Sequence, residues 1–370
     1  MAAGSNADDP PTVSVVMSVF NGERFLREAI DSILSQTFRD FEFIVIDDGS
    51  TDGTASILAS YEKSDCRVRV RRQENKGLVE SLNRGCGLAR GNYIARIDAD
   101  DIAVKHRLQW QIEFMERHPE VGVVGGAVEV IDSAGRALHC LHYPVENEEI
   151  KSVLLLQNPL TQSAVVVRKE VFLSVGGYRR SFDLAEDYDM WLRIAERWRL
   201  ANLEAVVVKY RIHSDQATSR KLRQEILCGL AVRALASLRR KGSPEPVISK
   251  DGITPEVLAR LGVDQAAQHR ALVADYFCWI GVVSRASQDD AVVRLVDELI
   301  DLSRSGPVNR TDLSNAMLLA ARIRYRQRRP LRALVYVARA VLTRPKVAGR
   351  PLKRAVKSLF RKFEAQADRA

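Results

Sequence analysis

Two carboxylates one residue apart, Asp98 and Asp100, end the mostly apolar run Tyr93-Ile94-Ala95-Arg96-Ile97. A strand that empties into such a pair aims both groups at one point. Oxygen ligands suit a hard divalent cation, which keeps coordination places for waters and substrate phosphates. The pair therefore points to a metal and diphosphate site, against the plainer reading of a solvated acidic turn. Two further acidic clusters stand elsewhere: Asp47-Asp48-Gly49-Ser50-Thr51-Asp52-Gly53 closes another apolar run, and Glu186-Asp187-Tyr188-Asp189 opens a helical stretch.

The elements that must position these groups alternate. Val13 to Val19 is a continuous β-branched run, Glu23 to Gln36 carries a helical stripe (Phe25, Leu26, Ala29, Ile30, Ile33, Leu34), and Phe41 to Ile46 is a second strand. Ala55–Tyr61 reads as helix, Arg67–Arg71 as strand, Leu78–Ala89 as helix and Tyr93–Ile97 as strand. Strand–helix alternation at this spacing predicts an α/β fold, a mostly parallel sheet with helices on both faces. Ligands of such sheets bind beyond the carboxyl ends of the strands, where two of the acidic clusters fall. A helix over 105–118 follows, then a strand pair around Ser133-Ala134-Gly135, strands at 164–168 and Ala201–Tyr210, and a helix from Glu186 to Arg197. Beyond Lys221 only helical periods remain, with Gly242-Ser243-Pro244-Glu245-Pro246 as a linker.

The 370 residues leave room for two domains, expected as 12–218 and 219–370 after a disordered 1–11. Cys66, Cys86, Cys140, Cys228 and Cys278 lack C-x-x-C spacing, which fits thiols in a reducing compartment. The N-terminus does not read as a signal peptide, and no run reaches the length of a membrane span. Net charge is +9, but residues 321–370 hold 16 Lys and Arg against 2 acidic residues, while 1–320 holds 40 against 45. The body is mildly acidic and the tail strongly basic.

Several blocks resemble family 2 glycosyltransferases of the GT-A fold: Val13 to Gly22, Leu34-Ser35-Gln36-Thr37-Phe38, Phe43 to Thr54, Asn75-Lys76-Gly77-Leu78, Arg96 to Asp101, and Ala185 to Leu192. The resemblance covers about residues 12 to 215. It implies inverting transfer of a sugar from a nucleotide-diphosphate donor to a glycan hydroxyl. It places uracil or a similar base at Asp48, with Val19, Asn21, Asn75, Gly77 and Asn83 bordering the nucleotide. It puts Asp98 toward ribose and metal waters, and Asp100 on the cation, Mn²⁺ or Mg²⁺. His213 completes the coordination and Arg211 meets phosphate. Asp187 takes the position of the general base, with Glu186 supplying charge at the helix start and Asp189 turned to another face. Locally, Asp52 suits the start of its own helix and Asp101 the cap of the helix at 105–118.

Two departures from the family pattern stand out. Ser18 replaces a common Pro, and no His-Pro stands near Gln162-Ser163. The Gln-x-x-Arg-Trp signature of processive synthases is absent, which favours single-sugar transfer. A sugar-nucleotide pyrophosphorylase would want a basic Gly-rich loop where Phe20-Asn21-Gly22-Glu23 stands, and a non-catalytic sugar-nucleotide scaffold would not need both Asp100 and Asp187.

In the tail, Leu331, Leu334, Val335, Ala338, Val341 and Leu342 fall at helical spacing, and Leu352, Val356, Leu359, Phe360 and Phe363 do so again among Lys and Arg. Such basic amphipathic helices, here about 326–366, fit an anionic membrane surface. That expectation places the protein at the cytoplasmic face beside a lipid-linked acceptor; a charged outer face or oligomer surface is the plainer alternative. No nucleic-acid motif is present.

Overall fold

The computed structural model describes residues 10–214, 216–248 and 252–344. The chain opens as β1 (Val13–Val19), α1 (Leu26–Leu34), β2 (Phe41–Asp47), α2 (Thr54–Ser64), β3 (Val68–Arg72) and α3 (Leu78–Leu88). It continues as β4 (Tyr93–Arg96), β5 (Ile102–Ala103), α4 (Arg107–Arg117), β6 (Val121–Ile131), β7 (Ala137–Leu141) and α5 (Asn147–Leu154). Then come β8 (Val166–Arg168), α6 (Lys169–Ser174), α7 (Glu186–Ile194) and β9 (Arg199–Arg211).

The strands form one mixed sheet in the order β3-β2-β1-β4-β8-β6-β9-β5, with β7 on β6. β3, β2, β1 and β4 run parallel. β6 and β9 are also parallel, while β8, β7 and β5 join antiparallel. The central strands are apolar along their length because helices cover both faces, as in all buried parallel sheets. Leu26, Ala29, Ile30 and Ile33 of α1 are buried in one cluster with Val13, Val15, Met17 and Phe43. On the other side α3 approaches closely at Gly85, where a Cβ would stand 2.6 Å from Val16 Cγ1.

Register sets the site. Val19 pairs with Asp47 and Val16 with Arg96, so Asp48 and Asp98 emerge at one edge on either side of Val19-Phe20-Asn21. At the sheet's far end, Ile102 of β5 pairs with Lys209 of β9, which returns Arg211 and His213 beside the Asp98–Asp101 turn.

The chain divides into two compact units after Asp264, not at 218. The first unit retains α8 (Ala217–Arg240) and α9 (Pro255–Arg260). The expected linker is not free chain: Glu245 accepts Arg179 Nη1 at 2.6 Å and also pairs with Arg239. The second unit holds α10 (Gln265–Arg285), α11 (Asp289–Ser305), α12 (Arg310–Arg326) and α13 (Pro330–Thr343), each packed on the next. Asn309 caps α12 by accepting the Thr311 N–H at 2.8 Å. Among the described residues no helix is long and apolar enough to cross a membrane. The basic pattern at 352–363 lies outside them.

Candidate active site

Asp48, at the end of β2, is 3% exposed and its carboxylate is well engaged. Oδ1 accepts Gln73 Nε2 at 2.7 Å and the Lys76 N–H at 2.9 Å; Oδ2 accepts the Gly77 N–H at 2.9 Å. The Asp48-Gly49 turn thus seats on the 73–77 loop, with Gly49 at φ +81 and a would-be Cβ 2.8 Å from Asn75 N. Gly77 has φ +88, which a side chain would strain. Asn75 and Gly77 are exposed on this rim. A carboxylate offers about four lone-pair directions, so roughly one is left on Asp48.

The turn after β1 is stitched to the same rim. Asn21 holds φ 53, a conformation Asn tolerates better than most residues. Its Oδ1 accepts the Thr51 N–H at 2.8 Å and its N–H donates to Ser50 Oγ at 3.0 Å. Val19 is buried in the core, so its backbone alone faces the rim. The ring that does project is Phe20, 53% exposed. Asn83 is a correction: its amide bonds Tyr178 both ways, at 2.8 and 3.0 Å, and ties α3 to the 177–178 turn instead of bordering a nucleotide. Asp52 does serve its helix, accepting the Thr54 N–H at 3.0 Å.

Asp98 is oriented from below. Its Oδ1 accepts Arg96 Nη2 at 2.7 Å and its Oδ2 accepts Ser163 Oγ at 2.9 Å, while its N–H donates back to Ser163 Oγ. Arg96 is wholly buried; burial opposes its charge, and the Asp98 carboxylate more than restores it. With both oxygens already bonded, Asp98 is better placed to meet a hydroxyl or a metal water than to bind a cation directly. Asp100 differs. Its Oδ2 meets His213 Nε2 at 2.8 Å, with the His213 ring centroid 5.0 Å from that of Phe25.

Two assignments are overturned here. Arg211 is 2% exposed and faces inward: Nε donates to the Asp100 carbonyl at 2.8 Å, Nη2 to Glu28 Oε2 at 2.6 Å, and its N–H to Asp101 Oδ1 at 2.8 Å. It clamps the turn that presents Asp100, its Nη1 also reaches the Asp132 carbonyl at 3.4 Å, and burial closes the guanidinium to phosphate. Asp101 is not a helix cap. It is 1% exposed on Arg211, and α4 begins after His106 without a side-chain cap.

Asp100 and His213 are the residues that fit a cation. Among the described residues no group of three His, Cys, Asp or Glu could hold one. One or two protein ligands plus substrate phosphates is the usual arrangement for Mg²⁺ with nucleotides, and the half-buried Asp100 leaves an open side.

The third cluster divides its labour in an unexpected way. Glu186 is 3% exposed; burial first, then the neighbouring Asp187, pushes its carboxyl far above the carboxylate range. It is therefore mostly protonated near neutrality and supplies no charge to the helix start. Gln162 Nε2 donates to its Oε1 at 3.1 Å. Asp187 is half-buried, with Oδ1 accepting the Tyr188 N–H at 2.6 Å and Oδ2 accepting Asn158 Nδ2 at 2.9 Å. Its pKa is raised to about 6: burial pushes it up most, the two hydrogen bonds pull it down, and the charge of Asp98 adds to the rise. Asp98 and Asp187 thus share one electrostatic field. Asp189, 1% exposed, is held by Arg179 and Arg193 and is structural.

Sequence reasoning missed Arg96, Asn158, Gln162 and Ser163. Arg96 left a signal, a lone cation inside an apolar strand. The other three sit about 25 to 65 residues from their partners, and no local spacing marks them.

The family model described as "Glycosyl transferase family 2" matches residues 14–176. The putative glycosyltransferase EpsE of Bacillus subtilis is 37% identical over 214 residues, 55% of this chain and 74% of that one. The chain belongs to glycosyltransferase family 2. Another family 2 relative by similarity, the O-antigen biosynthesis glycosyltransferase WbnJ of Escherichia coli, is 34% identical over 55% of this chain and 80% of its own. The fold is that of the mannosyltransferase PcManGT from Pyrobaculum calidifontis, solved with GDP-Man and Mn²⁺, at TM-score 0.51 and 16% identity over 91% and 89% of the two chains. As a family 2 glycosyltransferase the chain has a GT-A sheet followed by helices α8 to α13.

Proposed function

We propose that this glycosyltransferase moves one sugar, with inversion, from a UDP-sugar to a glycan hydroxyl in cell-surface polysaccharide synthesis. The observation that carries the reading is the Asp187 carboxylate: half-buried, oriented by Asn158 and the Tyr188 N–H, and raised toward neutral proton affinity within the field of Asp98. A general base works best with a pKa near the operating pH. Asp187 takes the acceptor proton as the hydroxyl oxygen attacks the anomeric carbon and the bond to the diphosphate breaks. One base and one displacement give inversion.

Asp48 supports uracil. Its one remaining lone-pair direction matches a single imino N–H, whereas guanine presents two donors along that edge. PcManGT, which holds GDP-Man, is alike in fold only. Asp98 receives a ribose hydroxyl, Phe20 offers a ring face to base or ribose, and Asp100 with His213 would hold Mn²⁺ or Mg²⁺. When bound there, the ion neutralises charge on the departing nucleoside diphosphate. Polysaccharide synthesis rests on relatives such as WbnJ.

Asp187→Asn is expected to cut transfer by about 10²- to 10⁴-fold, the usual worth of a general base, with donor affinity retained in calorimetry. Full transfer by that variant would remove Asp187 from the mechanism.

A further inference from the structure

α13 shows one face that nothing among the described residues of its unit covers. Ala333, Tyr336 and Ala340 turn inward, with the Tyr336 hydroxyl on Asp297 Oδ1 at 2.7 Å. On the opposite side Leu331 is 70%, Val335 50% and Leu342 82% exposed, and Ala338 is exposed with them. At 3.6 residues per turn these four fall within an arc of about 60°. Arg332 and Arg339 are exposed along one flank, and Arg328 and Arg329 precede the helix.

The geometry points to this face of α13 as an interfacial docking surface for an anionic lipid bilayer. Charge decides among occupants. No Asp or Glu occurs from residue 313 to 363, so the partner must be anionic. A second copy would bring the same arginines against this rim, and the chain's own 352–363 segment is equally basic. Nucleic acid would use the arginines, but its phosphates have no use for four aligned apolar side chains. A bilayer uses both: the apolar stripe enters the acyl boundary while long Arg side chains reach the headgroups. Each cation near an anionic leaflet adds to the attraction. A catalytic unit held this way meets acceptors at the membrane surface.

The test is flotation of the full chain with vesicles of phosphatidylcholine alone or with a third phosphatidylglycerol. The wild type should float with the anionic vesicles and not the neutral ones, and high salt should release it. Leu331→Ser with Leu342→Ser, both at exposed positions, should weaken that binding by about tenfold, since each removes an apolar side chain that enters the acyl boundary only in part. Arg332→Glu with Arg339→Glu should weaken it similarly while leaving the apolar stripe intact. Sugar-nucleotide turnover on a soluble acceptor should not change in either variant. Equal flotation with neutral vesicles, or unaltered flotation of the serine variant, overturns the proposal. So does a fall in molar mass by light scattering on serine substitution, which would assign the face to a second copy. Tight salt-sensitive RNA binding without flotation would assign the arginines to nucleic acid and also overturn it.

Discussion

At the scale of single residues, the site is governed by how carboxylates are buried. Asp187 must be ionised to accept a proton, and its pKa stands at about 6. Transfer should therefore fall as pH drops through about 6. The hydrogen bond from Asn158 favours the charged form. Asn158→Ala should consequently move the acid limb of the kcat profile to higher pH, a displacement that loss of folded protein would not produce; an unmoved limb would detach Asn158 from the base. Glu186 makes a stability prediction of the opposite kind. Its folded pKa lies above its unfolded value, so the folded state holds the extra proton and stability declines as pH rises from the ordinary carboxylate range toward 8. Glu186→Gln keeps the neutral amide-like group on Gln162 and should raise Tm at pH 8 by about 2–4 °C, with little change at pH 5. An equal shift at both pH values would show Glu186 to be ionised when folded.

At the scale of elements, the β5–β9 pair and the Arg211 clamp bring together the two residues proposed to hold the cation. Asp100 and His213 stand 113 positions apart, yet they meet at 2.8 Å because Ile102 pairs with Lys209 and Arg211 grips the Asp100 carbonyl. Outer partners of metal ligands commonly contribute 10- to 100-fold in metal affinity. Arg211→Met should raise the Mn²⁺ needed for half-maximal turnover by about that factor. It should also cost about 1–3 kcal/mol in urea unfolding through the orphaned carbonyl. Unchanged Mn²⁺ dependence would leave Arg211 a purely structural residue. These elements also show what a sequence discloses. β1, β2 and β4 were legible because strands buried on both faces are mostly apolar, and acidic turns close β2 and β4 at one edge. Those turns single out Asp48, Asp98 and Asp100 as candidates, and the resemblance adds Asp187. The inward turn of Arg211 was not legible: an Arg after a strand looks alike whether it meets phosphate or a buried carbonyl. Nor was the burial of Glu186 against the partial exposure of Asp187, since adjacent residues exchange faces with a small rotation of the helix.

For the whole molecule, the division after Asp264 escaped the sequence because it depends on distant contacts. Arg239 of α8 pairs with Glu196, and Glu245 lies between Arg179 and Arg239, so chain that reads as linker and tail folds with the sheet. The charge division was legible, and it separates a mildly acidic catalytic body from a basic end. In the proposed reading a cation offsets the carboxylates where the diphosphate binds: Arg96 and Arg211 are buried, whereas Asp98, Asp100 and Asp187 are part-exposed. The most direct measurement is release of nucleoside diphosphate across a panel of UDP- and GDP-sugars, with and without Mn²⁺, before and after chelation. The account predicts turnover with a UDP-sugar that Mn²⁺ stimulates and chelation abolishes. Turnover unaffected by Mn²⁺ and by chelation with every donor would contradict it.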